Sequence, residues 1–503
     1  MSLFSLFRRR TPAQPIEDAT LTHIEKFDNT LNPNLRALRL AMRACELMIS
    51  MGVSANSVVS RALDITDTYC KSPVHIDITY NIIFLSQLRG VDKEPLTLVR
   101  PAPPRDINYM MLRAVQVLIH DIHSGKVSLS DAEKRLDEIE FHSPTYPWWL
   151  IMIGNGTVIA GVSLMFTSSW RAILTTFIIG LIVDRIVFYM SKKSIAPFFR
   201  QIAAAIFVTL TAATINALAN QGVQFFQGIN PTLIVVGSIV LLVAGLATVS
   251  AIQDAIEEYY VTANARLVRV LLQTSGLVIG IVIGLYIARK FGIGIAISPN
   301  PLNANTIPMQ VIGAALSAAG YAISSQTYSR AIAWVGLIGG ISLSILFLLT
   351  NRFEVSVVIA SSIAATFVGL IGAFMSRFWR TPSVGIMASG IIPLVPGLML
   401  YNGLMQLINY PPGNPLFYKA LGTLFTVLTT GLAIAAGATL GSLIGRPFRQ
   451  TLASDRNIWP FVSVLQRQSH PRRRSLALLA LHPAKFFDDV LIKADDTANK
   501  KDS

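Results

Sequence analysis

Acidic side chains are scarce in the apolar part of this chain, so each one is a candidate for chemistry. Only five occur in the 298 residues from Trp148 to Gly445. Two of them, Asp184 and Asp254, lie inside or at the edge of segments long enough to span a bilayer. Burying a carboxylate there costs roughly 2.5–3.5 kcal/mol, so such a residue usually marks an ion or substrate path. The first functional hypothesis is therefore transport.

Asp254 lies in TVSAIQDAIEE (248–258). A carboxylate at this position could hold a substrate ammonium, or it could carry a proton in exchange. The alternative of equal weight is an aspartate at the inner boundary of the membrane that pairs with Arg266 or Arg269. The sequence alone leaves both interpretations open.

Asp184, in GLIVDRIVF (180–188), has basic neighbours at Arg185 and Lys192. Structural pairing is therefore favoured over a transport role for this residue. Polar side chains within the apolar segments could also line a path, although Ser and Thr serve helix packing in membranes as well. These candidates are Asn155, Thr214, Asn216, Ser250, Gln273, Thr274, Ser275, Tyr401, Asn402 and Gln406.

Two apolar segments carry helix-breaking residues at matching places. The segment 239–256 aligns with 390–408 at an offset of 152, so that Gly245 corresponds to Gly397. Pro393 and Pro396 should break the second helix, because proline removes a backbone donor and clashes with the preceding turn. Gly245 alone is a weaker break. The alternative is a proline kink that serves only packing.

A broken helix in the membrane exposes helix ends to a solute. The N-terminal end after Pro396 would present free N–H groups and a partial positive charge to a carboxylate. Tyr401 and Asn402 follow within the next turn and could bind a carboxylate or a hydroxyl group. The predicted substrate- and proton-binding site consists of these residues with Gly245, Ser250, Asp254 and Asp184.

The polar N-terminal region contains two pairs of possible metal ligands. His75 and Asp77 lie on one face of a predicted strand, and His120 and His123 lie on one face of a predicted helix. Together they could hold zinc, which gives the alternative of a membrane-anchored metal-dependent enzyme. Solvated histidines are commoner, and no GxxxxGK[ST], GxSxG or HExxH motif occurs. We therefore expect no metal, no cofactor and no catalysis.

The composition indicates a polytopic membrane protein. Hydrophobic residues make up 52% of the chain and charged residues 14%, against about 25% charged in soluble domains. The net charge of +14 is concentrated beside the apolar segments, where it indicates topology and contact with anionic lipid rather than nucleic acid. The two cysteines, Cys45 and Cys70, form no CxxC motif and suit a reduced, cytosolic setting.

The chain divides into five regions by pattern. The periodicity predicts helices near 35–51, 54–69, 106–123 and 130–141, the last with a capping box of Ser130 and Glu133. Alternating apolar residues predict strands at 75–80, 81–88 and 95–100. The predicted regions are a flexible N-terminus (1–33), a cytosolic α/β domain (34–145), two five-helix membrane repeats (146–290 and 305–445) and a basic cytosolic tail (446–503).

Ten membrane spans are predicted, so the fold class is an all-α membrane protein with an N-terminal α/β domain. Nine basic residues fall in inner loops and five in outer loops, which favours both termini in the cytosol. A repeat of five spans must enter the membrane in the opposite sense, so the two halves should be inverted. The spans are 148–167, 171–190, 195–218, 231–253, 267–288, 307–327, 331–350, 353–375, 383–409 and 416–444.

The chain resembles the threonine/serine exporter family over nearly its whole length. The first matching block is PVHIDITYNIIFLSQLRGVDKEPLTLVRP (73–101), followed by DINYMMLRAVQVLIHDIHSGKVSLSDAEKRLDEI (106–139). The others are NPTLIVVGSIVLLVAGLATVSAIQDAI (230–256) and GIIPLVPGLMLYNGLM (390–405). Asp254 fits the family pattern, whereas Ala244 replaces the proline that members tend to have before Gly245.

The resemblance implies ten spans in two related halves and export of threonine and serine driven by the proton gradient. It also implies a bacterial plasma membrane location. The expected partners are threonine, serine, protons and the lipid bilayer, and the sequence leaves a homo-oligomer open. The resemblance assigns no substrate-binding residues, so the predicted site rests on the residue patterns alone.

Overall fold

The structure, a computed structural model, describes residues 33–70, 72–89, 94–142, 145–242, 245–293, 305–378 and 381–451. The predicted flexible N-terminus, apart from Pro33, and the predicted basic tail beyond Thr451 lie outside the described residues. What the structure describes is mostly helical, with one small sheet.

Residues 33–142, which we call the N-terminal segment, contain four helices and three strands. The three predicted strands are confirmed and form an antiparallel sheet in the order β1-β2-β3, in which Ile76 pairs with Leu85 and Leu85 with Leu98. The elements are α1 (Pro33–Ser50), α2 (Ala55–Tyr69), β1 (Val74–Thr79), β2 (Ile82–Gln87), β3 (Leu96–Pro101), α3 (Tyr109–His123) and α4 (Leu129–His142).

The apolar periodicity of these elements creates one buried core. In β1, Ile76 and Ile78 are buried while His75 and Asp77 point outward, as the alternation of side chains along a strand requires. The helices turn their apolar stripes onto the inner face of the sheet. Buried members of this core include Leu38, Leu47, Ile65, Ile83, Leu112 and Ile119.

The predicted capping box at the start of α4 is wrong. Ser128, two residues earlier than the predicted Ser130, accepts a hydrogen bond from the Asp131 N–H at 3.2 Å, and its hydroxyl donates to the Asp131 carboxylate at 2.7 Å. Glu133 faces α1, where it accepts from Arg36 Nε at 3.1 Å. Glu133, which the local pattern assigned to the helix cap, instead forms an ion pair with Arg36.

The apolar part of the chain forms a series of long helices and two bent helix pairs. These elements are α5 (Trp148–Leu164), α6 (Trp170–Lys192), α7 (Pro197–Asn220), α8 (Pro231–Leu242), α9 (Gly245–Ile256), α10 (Tyr260–Lys290), α11 (Ile307–Ser324), α12 (Ser329–Arg352), α13 (Val357–Phe378), α14 (Ser383–Gly390), a 3-10 turn (Ile392–Leu394), α15 (Gly397–Asn409) and α16 (Pro415–Thr451).

Seven of the described helices are long and apolar enough to cross a membrane, and nine crossings result if each bent pair counts as one. The helix α5 is apolar but shorter, with 17 residues. The chain is therefore a multi-pass membrane protein, while the count of ten spans remains a prediction. The helix α10 begins seven residues earlier than predicted, because its first two turns contact the N-terminal segment rather than lipid.

Both segments in which a break was predicted are bent. The axes of α8 and α9 meet at 41°, and those of α14 with its 3-10 turn and α15 meet at 51°. In the second pair, Pro393 lies in the 3-10 turn and Pro396 is the N-cap of α15. The first pair bends between Leu242 and Ala247, a stretch whose sequence contains no proline.

The helices α5 and α11 approach each other closely through glycines. A Cβ atom on Gly161 would lie 2.6 Å from the Gly313 carbonyl oxygen, and one on Gly154 would lie 2.8 Å from the Gly320 carbonyl oxygen. Small residues allow such backbone contact between membrane helices. Because the higher residue number of one helix faces the lower number of the other, α5 and α11 run antiparallel.

A second glycine pattern occurs twice. Three glycines spaced four residues apart on α10 lie against α7, and three with the same spacing on α16 lie against α13. The contacts join Gly276, Gly280 and Gly284 with Phe198, Ile202 and Ile206 in the first half, and Gly437, Gly441 and Gly445 with Ser362, Thr366 and Leu370 in the second.

Replacing Gly161 with alanine should destabilise the protein by about 1–3 kcal/mol, because the added methyl group would clash with the α11 backbone. The matched control is Gly431→Ala on α16, where no atom lies within 4 Å of the added methyl group. Alanine has the higher helix propensity, so the control should be neutral or slightly stabilising. Thermal unfolding in detergent compares the two. Equal unfolding temperatures would contradict the close α5–α11 contact.

Candidate functional site

Asp254 lies near the end of α9 and is fully buried, with 0% of its surface exposed. Its Oδ1 accepts a hydrogen bond from the Ala55 N–H at 2.8 Å, and its Oδ2 lies 2.9 Å from Nη1 of Arg266. Ala55 is the first residue of α2, and the side chain of the N-cap residue Ser54 makes no cap bond. The Asp254 carboxylate therefore caps α2 from another part of the chain, where the helix dipole favours a negative charge.

The turn between α1 and α2 supplies further partners. Gly52 has a φ of +85°, a left-handed conformation that glycine adopts without a Cβ penalty. The Gly52 carbonyl accepts from the Ser250 hydroxyl at 3.0 Å, and the Val53 carbonyl accepts from Arg266 Nη2 at 2.9 Å. Asp254, Ser250 and Arg266 thus bind one turn of the N-terminal segment, and we call these three residues the docking cluster.

Tyr401 and Gly397 lie in a different place, where α15 packs against α8. The Tyr401 side chain is 4% exposed and lies close to the Thr232 side chain. A Cβ atom on Gly397 would lie 2.7 Å from Cγ2 of Val240. The later residue of α15 therefore meets the earlier residue of α8, so the two helices cross antiparallel. Halves of the two bent pairs meet here.

Asp184 forms a third group. Its Oδ1 accepts from Asn155 Nδ2 at 2.6 Å, and its Oδ2 accepts from Arg185 Nε at 2.8 Å. The Arg185 guanidinium also lies 5.2 Å from the ring centre of Trp148 and 4.8 Å from that of Phe188. This is the structural pairing that the sequence favoured for Asp184.

The predicted site residues therefore occupy separate places in this conformation. Ser250 and Asp254 contact the N-terminal segment, while Gly397 and Tyr401 contact α8. Nine residues of α9 separate Gly245 from Asp254, which is roughly 14 Å at 1.5 Å per residue. Pro396 precedes α15 as its N-cap, and Asn402 is exposed beside the buried Tyr401.

Sequence reasoning missed the groups that complete the two breaks. Gln201 on α7 donates from Nε2 to the Leu242 carbonyl at 2.9 Å, at the last residue of α8. The Ser342 hydroxyl on α12 is shared between the Gly339 carbonyl at 2.8 Å and the Gly390 carbonyl at 3.2 Å, at the last residue of α14. Carbonyls left without a helical partner need such donors in an apolar setting. The polar pair Arg200-Gln201 near the start of a predicted span was the available signal for Gln201.

The histidine pairs do not come together. His75 and Asp77 lie on the outer face of β1, and His123 Nδ1 lies 3.7 Å from a carboxylate oxygen of Asp64. Among the residues that the structure describes, no three His, Cys, Asp or Glu side chains could share a metal ion. The metal-dependent alternative therefore gains no support from the described residues.

A pocket of about 400 Å³ lies at the start of α11, away from every predicted site residue. Its lining is mostly apolar, with amide and hydroxyl groups from Gln310, Thr350 and Asn351. It lies between the ends of α11, α12 and α13 rather than between the bent pairs.

Comparison with protein families identifies the chain. The ThrE family model, of threonine/serine exporters, matches residues 39–288, and a second model, "Threonine/Serine exporter, ThrE", matches residues 310–444. The two matches include both bent pairs and most of the N-terminal segment. The chain belongs to the threonine/serine exporter family. Members of this family are transporters.

Individual relatives agree with this assignment. The chain is 29% identical to the "Probable threonine/serine exporter" of Mycobacterium tuberculosis, over 82% of this chain and 77% of the relative. It is 27% identical to the "Threonine/serine exporter" of Corynebacterium glutamicum, over 87% of both chains. The chain is also 24% identical to a fungal relative, "Pheromone-regulated membrane protein 10" of Candida albicans (strain WO-1). That alignment covers 58% of this chain and 26% of the relative. No solved structure matches the chain.

Removing only the arginine of the docking cluster should strongly destabilise this exporter-family protein. Arg266→Gln leaves the buried Asp254 carboxylate without its cation, at a cost of about 3–5 kcal/mol. The double variant Asp254→Asn/Arg266→Gln should recover most of that loss, because no charge remains buried and the side-chain carbonyl of the introduced asparagine can still accept from the Ala55 N–H.

Thermal unfolding of the purified variants checks this prediction, and Arg269→Gln on the same helix is the matched control. A double variant that is less stable than Arg266→Gln alone would contradict the proposed charge balance.

Proposed function

We propose that this protein exports threonine and serine from the bacterial cytosol in exchange for protons. The names of two bacterial relatives, which describe threonine/serine exporters, support the substrates. The observation that carries the proposal is the meeting of the two bent pairs, where Tyr401 reaches Thr232 and Gly397 packs on Val240. Bent or discontinuous helices that meet in this way are the usual place for a solute site in secondary transporters.

The proposed architecture is ten spans in two inverted halves, 146–290 and 305–445. The antiparallel contact of α5 with α11 supports inversion, since each is the first helix of its half. The repeated glycine contacts of α7 with α10 and of α13 with α16 support a common ancestry of the halves. In this arrangement the N-terminal segment (within 34–145) and the tail (446–503) both lie in the cytosol, and the protein resides in the plasma membrane.

In the proposed solute site, the N-terminal end of α15 binds the amino-acid carboxylate. The N–H groups after Pro396 and Gly397 and the positive end of the helix dipole suit a negative charge. The hydroxyl of Tyr401 and the amide of Asn402 then serve the remaining polar groups of threonine or serine. Gly245, at the matching position of the first half, belongs to the proposed site as the counterpart of Gly397.

In this proposal Asp254 carries the exchanged proton and does not contact the solute. Asp254 belongs to the docking cluster, whereas the proposed solute site lies at the α8–α15 contact. A carboxylate that exchanges Arg266 for a proton would couple proton movement to a change at the inner end of α9. Ser250, one turn earlier on the same helix, would move with it. Asp184, the other carboxylate of the predicted site, is bound by Asn155 and Arg185 and serves as the comparison for Asp254.

Counterflow in proteoliposomes tests the function itself. Vesicles loaded with unlabelled threonine should accumulate labelled threonine, the uptake should saturate, and it should respond to an imposed pH gradient. Serine should compete with the label. Absence of uptake by vesicles that contain folded protein would contradict the proposed substrates.

The charge-neutral double variant Asp254→Asn/Arg266→Gln separates proton coupling from structure. If Asp254 carries the proton, this variant should retain threonine counterflow and lose gradient-driven efflux, because exchange of solute needs no net proton transfer. Asp184→Asn is the matched carboxylate control and should keep its response to the pH gradient. Normal gradient-driven efflux by the double variant would exclude the proposed role of Asp254.

A further inference from the structure

The N-terminal segment contacts the first membrane half through two polar connections. The docking cluster of Ser250, Asp254 and Arg266 binds the turn before α2. In addition, the Thr262 hydroxyl on α10 accepts from the Tyr80 N–H at 2.9 Å and donates to the Ile78 carbonyl at 3.2 Å. These bonds between the segment and the first half are hydrogen bonds, and the partly exposed Tyr259 also packs against the core of the segment.

The same segment contacts the second membrane half through aromatic side chains. Tyr109, at the start of α3, is fully buried, and a Cβ atom on Gly385 of α14 would lie 2.9 Å from its ring. The Tyr109 N–H donates to the Ser325 carbonyl at 3.2 Å. The Arg113 guanidinium lies 4.2 Å from the ring centre of Tyr328.

These contacts lie on one side of the proposed membrane arrangement. The first-half contacts are at the end of α9 and the start of α10, and the second-half contacts are at the turn between α11 and α12 and at the start of α14. Because successive spans alternate in direction, all of these positions fall at inner ends. The N-terminal segment therefore joins the inner ends of both halves.

A solute can reach a site between two membrane halves only when the halves separate on that side. In the present conformation the inner ends are joined, and Ser250 and Asp254 are buried beneath the Gly52–Ala55 turn. Opening must break one set of contacts. Water can replace the polar partners of the first half, whereas the buried ring of Tyr109 would lose its apolar surroundings.

We propose that the N-terminal segment is the inner gate of the exporter, which stays on the second half and releases the first half to admit solute from the cytosol. This inference rests on the proposed function. It assigns a regulatory role to the contacts of Tyr80 and Thr262 and of the docking cluster. Locking these contacts should therefore stop transport without altering the solute site.

A reversible cross-link tests the gate. Tyr80→Cys and Thr262→Cys, in a Cys70→Ser background, are joined with a short, reducible bis-thiosulfonate reagent, and threonine counterflow is measured before linking, after linking and after reduction. Thr262 is 1% exposed in the docked state, so the reagent reaches a thiol at this position only when the segment leaves the first half. The remaining Cys45 is fully buried, and its burial raises the pKa of the thiol to about 12, so it should not react. The linked protein should lose counterflow and regain it on reduction.

The matched control joins two positions within the sheet. The side-chain oxygens of Ser86 and Thr97 lie 2.9 Å apart on β2 and β3, so Ser86→Cys/Thr97→Cys can be linked without joining the segment to the membrane half. This linked control should transport normally. Full counterflow by the linked 80–262 pair would overturn the gate, and so would failure of two reactive thiols at these positions to link.

The experiment distinguishes failure of the gate proposal from failure of the proposed function. Absence of counterflow in the unlinked wild type would refute the proposed function instead of the gate. If the 80–262 pair does not fold, Ser250→Cys supplies a second measurement, because Ser250 is buried beneath the turn. Threonine should accelerate its labelling by an impermeant maleimide from the inner side, and a rate that does not respond to threonine would overturn the gate.

Discussion

The buried ion pair between Asp254 and Arg266 is the interaction on which the observed arrangement depends. Both charges are shielded from water, and such burial is costly unless every partner is in place. The remaining partners are the Ala55 N–H and the Val53 carbonyl, and both belong to the turn before α2. The ion pair is therefore complete only when the N-terminal segment is docked, which links the state of one carboxylate to the position of a whole segment.

A second constraint follows from the apolar setting. Helices that bend inside a membrane need donors for the carbonyls that the bend leaves free, and side chains on neighbouring helices supply them at Leu242 and Gly390. Between the straight helices, glycines allow backbones to approach, as Gly161 does with Gly313. The helices of the halves are thus packed closely against one another.

The strands and the second bend could be predicted from the sequence because they depend on local residue patterns. The alternation of Ile76 and Ile78 predicted β1, and Pro393 and Pro396 predicted the second bend. Arg266 was one of two predicted partners for Asp254, since both arginines lie nearby in the chain. Ala55 lies 199 residues from Asp254 and gave no local signal, because backbone N–H groups are the same at every position.

The central claim is that solute and protons move in opposite directions through one protein. Proteoliposomes loaded with threonine and an internal pH dye, diluted into threonine-free buffer of equal pH, test this most directly. Antiport predicts that the lumen becomes more acidic as threonine leaves. Loaded vesicles without the protein should show no such change. Threonine efflux with no change in internal pH, or with a rise in it, would contradict proton antiport.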